Sequence, residues 1–286
     1  MYELTRYLYI ADDVKISLLV SILEKDYEQA LFWASEMYYS GYQEEALEFV
    51  CAIYSTFFQK WNPQLERMIT KTKEQHSDDS MYALITIIKN LAVKMRQYSV
   101  REFIFGKGAE FNETEVISKN ETRLWIQPDV ESCKKYAQST PLPKTKHHKF
   151  LSNVCLYSTE KRWGKLFGCS YMTLSQGDLI KSHRMHWLYY ASFTPLWRQR
   201  ILEFRGEIED SQIVFPDDDS FEEFHNRYDY ELDEQAKEIQ GKVSHIEPYQ
   251  MCDANEFYKK YEPGLKVIKS KRVNKKSSQG KECAAP

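Results

Sequence analysis

The first hundred residues repeat one pattern. Apolar side chains return every three or four positions inside short blocks, and polar links separate the blocks. Ile16, Leu19, Val20 and Leu23 predict a helix over 14–25, with Asp12-Asp13 as its cap. Asp26 caps the next, and Gln29 stands three residues on as a capping-box partner. That helix carries Ala30, Leu31, Trp33, Ala34, Met37 and Tyr38, and Gly41 is placed to end it. A third helix is predicted over 43–60 through Ala46, Leu47, Val50, Ile53, Tyr54 and Phe57. Asn62-Pro63 predicts a cap and a first helical position for a helix to about 73. Asp78-Asp79-Ser80 opens a last one over 81–98. Short links between amphipathic helices make neighbours antiparallel. Residues 1–105 therefore read as an all-α domain, a solenoid-like or bundle-like stack of helical hairpins, with no copy at a fixed period to make it a repeat array.

The pattern changes over 106–176. Gly106, Gly108, Gly164, Gly168 and Pro141-Leu142-Pro143 mark a loop-rich basic connector. Two runs inside it, 122–126 and 154–158, have strand composition and supply a minor β element. Residues 177–262 read as a helical, acidic C-terminal region. Helix is predicted over 177–192, Thr194-Pro195 restarts it, and Gly206 ends the restart. Ser220 with Glu223 forms a capping box that opens an acidic helical stretch to Gly241. Residues 263–286 are polar, basic and Ser-rich, the composition of a disordered tail. The fold class is thus mostly α.

Composition narrows the function classes. A 42% hydrophobic share over 286 residues suffices for a buried core. Ten Gly and nine Pro argue against collagen, a Gly-rich Rossmann enzyme or a turn-dense sandwich. No apolar run reaches the length that spans a bilayer, and the start lacks the basic and apolar regions of a signal peptide. Cys51, Cys133, Cys155, Cys169, Cys252 and Cys283 include no C-x-x-C pair, which reads as reduced thiols in a chain that is not secreted.

The net charge of −3 conceals segregation. Lys144, Lys146, Lys149, Lys161, Arg162 and Lys165 crowd the connector, and Lys271, Arg272, Lys275 and Lys276 crowd the tail. These are the candidate nucleic-acid contacts, with Trp163, Phe167 and Tyr171 as stacking surfaces beside them. Acids dominate 207–238, so the blocks can pair within the chain or face partners of opposite charge.

Candidate chemistry is sparse. Pro216 followed by Asp217-Asp218-Asp219 has the start of a metal-nuclease pattern, but Gln235-Ala236-Lys237 puts Gln where that pattern needs an acid. An acidic helix N-terminus explains the triplet as well. Cys155, Cys169, His183 and His186 are soft ligands at spacings unlike the close pairs of structural zinc sites. No Walker loop, G-x-S-x-G or H-E-x-x-H occurs. No catalytic residue, metal site or cofactor is assigned. Cys283-Ala284-Ala285-Pro286 has the outline of a C-a-a-X prenylation box, with Pro outside the usual final residues and Glu282 beside it.

Three strings are distinctive: Met1-Tyr2-Glu3-Leu4-Thr5-Arg6-Tyr7-Leu8-Tyr9-Ile10 continuing through Asp12-Asp13-Val14-Lys15, Ala30 through Gly41, and Thr194 through Ile201. Over about 1–240 the chain resembles an uncharacterised protein family of nucleocytoplasmic large DNA viruses. The resemblance carries no activity. It implies a viral protein made in host cytoplasm, acting in a viral factory, in a virion or in the nucleus. The reading that follows is a non-enzymatic helical interaction protein with protein partners, in which Trp33, Tyr38, Tyr39 and Tyr42 line an aromatic groove; Tyr38, Tyr39 and Tyr42 are the candidate contact rings, the same rings suit a core equally well, and Trp33 suits it best. A nucleic-acid accessory factor and a metal-dependent enzyme are the alternatives.

Overall fold

A computed structural model describes residues 3–59, 62–94, 125–137, 147–160, 183–228 and 230–243. The chain is mostly helical. In order, the elements are α1 (Ala11–Leu23), α2 (Tyr27–Tyr39), α3 (Gln43–Ile53) with a π-helical turn at Tyr54–Phe58, α4 (Leu65–Gln75), α5 (Ser80–Lys94), α6 (Val130–Lys134), α7 (His147–Val154), α8 (Trp187–Ala191), α9 (Pro195–Glu203), β1 (Glu207–Glu209), β2 (Gln212–Val214), α10 (Asp218–Tyr228) and α11 (Lys237–Val243).

The N-terminal helices form where the apolar spacing places them. α1 is apolar almost all round, as a central helix must be, and it packs on α2, α3 and α5. Asp26 caps α2: its carboxylate accepts from the Gln29 amide at 3.0 Å and from the Gln29 side chain at 2.7 Å. At the other end Gly41, at φ +101°, closes a Schellman turn, with Gly41 N–H on the Tyr38 carbonyl and Tyr42 N–H on that of Met37. A Cβ at Gly41 would meet the Pro195 ring at 2.5 Å, so glycine also admits the start of α9. Asp79 caps α5 through the Tyr82 amide at 3.0 Å. Asn90, buried in α5, exchanges two hydrogen bonds with the Ile126 backbone, at 2.7 and 2.9 Å, and so fastens the 125–128 segment.

Several boundaries differ from the sequence expectation. α1 starts at Ala11, before Asp12 and Asp13, which occupy its first turn instead of capping it. The cause is upstream: Leu4 and Ile10 pair in an isolated bridge, and Ile10 already accepts the first helical bond. The third helix widens into a π turn, where Tyr54, Phe57 and Phe58 all become buried. The run 154–158 is not a strand, because Val154 ends α7 and the residues after it are irregular. Only Trp125 and Ile126 of the run 122–126 are described, and they too are irregular. The β element lies elsewhere, in an antiparallel hairpin that pairs Ile208 with Ile213. The 177–192 helix is described from His183 and breaks at His186, before α8. The proposed tail, 263–286, lies outside the described residues.

The core is a single cluster running from Leu4 to Val243. Its centre is the tight turn of residues 4–10, every one of them buried. Thr5 N–H bonds the Tyr9 carbonyl at 2.8 Å, and Leu8 holds φ +62° to close the turn.

Candidate interaction surface

The turn leaves carbonyls and amides pointing outward within the core, and a buried backbone group left unpaired is costly. Later segments of the chain satisfy them. Trp197 donates its indole N–H to Thr5 O at 3.1 Å, Tyr230 donates its hydroxyl to Arg6 O at 2.6 Å, and Thr194 donates its hydroxyl to Leu4 O at 2.6 Å. Tyr9 returns the favour, donating to Tyr157 O at 2.7 Å. Thr194 stands at the N-cap position of α9 as predicted, yet its hydroxyl serves Leu4 and not the helix.

One ion pair lies inside this knot. The Arg6 Nε donates to Glu36 Oε2 at 2.8 Å, and both side chains are fully buried. The other Glu36 oxygen accepts from Tyr7 N–H at 3.0 Å. The guanidinium stacks on the Tyr7 and Tyr39 rings, at 4.4 and 4.9 Å. A second buried guanidinium, Arg200, donates to the Tyr230 hydroxyl at 3.1 Å and lies over Trp197. Burial pushes the Tyr7, Tyr9 and Tyr230 hydroxyls well above the ordinary phenol range. Burial likewise raises the Cys155 thiol, and it raises Cys133 to about 11 with help from Asp79 and Asp129. These groups stay protonated at neutral pH, which suits hydrogen bonding better than nucleophilic attack.

The tyrosines read as contact rings belong largely to this interior. Tyr42 is a correction, being buried where exposure was expected: its hydroxyl donates to the Glu3 carboxylate and lies 3.3 Å from Thr194 Oγ1. Tyr38 and Tyr39 are half-buried, their hydroxyls bonded to Ser80 and to the Cys133 carbonyl. Trp33 is core, edge-on to Tyr9 at 5.1 Å and to Phe32 at 4.8 Å. Of the basic candidates, Lys144, Lys146, Lys161, Arg162, Lys165, Lys271, Arg272, Lys275 and Lys276 lie outside the described residues, as do Trp163, Phe167 and Tyr171. Lys149 falls within α7. Cys155 and His183 are buried, and Cys169 is outside the described residues. Among the described residues no three His, Cys, Asp or Glu side chains form a set able to hold a metal ion, and no helix is long and apolar enough to cross a membrane.

What remains on the outside is concentrated on one stretch. Eight large apolar side chains are exposed among the described residues, and four of them, Leu202, Ile208, Val214 and Phe221, fall within residues 202–221. Residues 207–223 carry Glu207, Glu209, Asp210, Asp217, Asp218, Asp219, Glu222 and Glu223, all exposed, with no Lys or Arg between the first and the last. Arg205 reaches Asp217 at 3.3 Å, and the other seven have no ion-pair partner among the described residues.

Local rules build this surface. Asp210 and Ser211 both take positive φ, 44° and 67°, as a two-residue hairpin turn with right-handed strand twist requires. The pairing puts Glu207, Glu209, Gln212 and Val214 on one side of the hairpin and Ile208 with Ile213 on the other. Gly206 lets the hairpin close, since a Cβ there would meet Ile201 at 2.7 Å and Phe215 at 3.0 Å. Asp217, not Ser220, caps α10, accepting from the Ser220 amide at 2.7 Å. Ser220, with Arg205 beside it, holds the Asp217 carboxyl below the usual carboxylate range. The Asp triplet is thus a helix N-terminus in an acidic face. Phe215 bridges inside and outside, 4.9 Å from buried Phe224 and 6.0 Å from exposed Phe221, whose ring leans on His225 at 4.2 Å.

Among the described residues, fold and surface define a mostly α-helical protein with a hydrophobic core, a buried polar knot within it, and an acidic outer stretch that also exposes apolar side chains. No protein-family model, curated protein or solved structure matches the chain.

Proposed function

We propose that the protein is a non-enzymatic helical scaffold that works by presenting its 202–223 face to a protein partner. One observation carries the reading: seven exposed carboxylates without ion-pair partners among the described residues share the 207–223 stretch with exposed Val214 and Phe221, Val214 lying on the same side of the hairpin as Glu207 and Glu209. Such a face combines an apolar anchor with a field that attracts and orients a basic partner. The resemblance to the giant-virus family supplies the setting, a viral protein at work in host cytoplasm or nucleus. Co-purification from host lysate tests the role. The full chain is compared with a variant carrying Glu209→Lys, Phe221→Ala, Glu222→Lys and Glu223→Lys, its fold checked by circular dichroism. Partners retained by the native face and lost by the folded variant support the scaffold, and an identical partner set for both overturns it.

A second reading rests on the six bases Lys266, Lys269, Lys271, Arg272, Lys275 and Lys276 within eleven residues. They suit phosphate contacts in a nucleic-acid accessory factor. Binding of DNA or RNA would then weaken steeply with salt, about 0.9 in log K per log salt for each phosphate contacted on duplex DNA. A flat, weak response removes this reading.

A further inference from the structure

We infer that the acidic, apolar face of the β1–β2 hairpin and α10 is the docking site of this chain's own segment 265–276. The inference rests on the reading of that face as an interaction surface and names its first occupant. Three observations select it. The face bears eight carboxylates and no base between Glu207 and Glu223. The segment Leu265-Lys266-Val267-Ile268-Lys269-Ser270-Lys271-Arg272-Val273-Asn274-Lys275-Lys276 carries six bases and no acid, so the charges are opposite and similar in number. It also carries Leu265 before those bases and Val267, Ile268 and Val273 between them, apolar side chains that can meet exposed Phe221 and Val214.

Reach permits the contact. α11 ends at Val243, and the chain between it and Lys266 spans up to about 75 Å when extended. A globule of this length has a radius of gyration of about 19 Å. The tether therefore costs little, because loop-closure entropy grows only slowly with length. The other basic stretches are held at both ends, 138–146 between α6 and α7 and 161–182 between α7 and α8. They also lack the alternation of bases with aliphatics.

Zero-length carbodiimide crosslinking of the full chain tests this, with isotopically light and heavy chains mixed and the products mapped by mass spectrometry. Expected are amides joining lysines of 266–276 to carboxylates of 207–223, formed within light or within heavy chains only. Their yield falls at least about threefold between low and high salt, as exposed charge pairs are screened. The double variant Lys271→Glu, Arg272→Glu lowers the remaining tail crosslinks by a similar factor. Light–heavy amides would assign the face to a second copy and overturn the proposal, as would tail amides concentrated on other carboxylates or an absence of tail amides. The co-purification comparison separates the two claims. If the face variant still loses partners while the tail crosslinks elsewhere, the scaffold stands and the docking falls.

Discussion

At the scale of single residues, the Arg6–Glu36 pair sets the terms for the interior. Two charges have left water completely, compensated by each other, by the Tyr7 amide and by the flanking rings. Deleting one partner leaves the other buried and uncompensated. Glu36→Ala should therefore cost about 3–5 kcal/mol, read as a lower urea midpoint with an unchanged slope. A change of less than about 0.5 kcal/mol, typical of a surface substitution, would show that the pair does not hold the knot. Little of this was legible beforehand. Arg6 and Glu36 lie thirty positions apart, in two different distinctive strings, and nothing in either string says that they pair. Leu8 at positive φ has no signature either, since the left-handed region favours Gly, Asn or Asp. Tyr42 shows the same limit from the other side: periodicity gives a helix, but whether a ring faces solvent depends on Glu3 and Thr194, which sequence spacing does not bring near.

At the scale of elements, legibility follows how local the cause is. The Asp26 cap, the Gly41 terminator and the Thr194-Pro195 restart were readable because each depends on residues within a few positions. The strand-like composition of 154–158 misleads because the chain after Val154 is irregular, with Leu156 exposed and the Cys155 carbonyl held by Lys242 of α11 at 2.9 Å. The true hairpin did have a signal: Glu-Ile-Glu and Gln-Ile-Val alternate around the two-residue Asp210-Ser211 turn. It was hidden by acids that read as helical. Ser211 now holds φ +67° without glycine's freedom, a state that costs an L-residue about 1–2 kcal/mol. Ser211→Gly should remove part of that cost and raise the thermal midpoint by a few degrees. An unchanged or lower midpoint would mean that the turn is not held in this geometry.

At the scale of the molecule, residues 4–10 act as a keystone. They join α2, α7, α9 and the segment after α10 through buried hydrogen bonds, and tyrosines supply many of them. Tyr7, Tyr9, Tyr27, Tyr42 and Tyr230 all have raised pKa values, chiefly through burial, with Tyr27 pushed up to about 12. A phenol whose folded pKa exceeds its unfolded value of about 10 favours the neutral, folded form. That stability is complete below pH 10 and is lost as pH rises through the folded values. The protein should keep its fold to about pH 10 and then unfold cooperatively toward pH 12, with tyrosinate absorbance and loss of helical circular dichroism rising together. Tyrosinate formation complete near pH 10 with the helices intact would place these rings in solvent.

With the buried polar knot holding the fold, the proposed work of the protein falls to the 202–223 stretch. A photo-crosslinking residue placed at position 221, and separately at exposed Thr70 on α4, shows which surface meets a partner in cells. The account predicts chain–partner adducts from position 221 that exceed those from position 70 by a wide margin and that diminish with added salt. Adducts formed equally from both positions, or from position 70 alone, would contradict it.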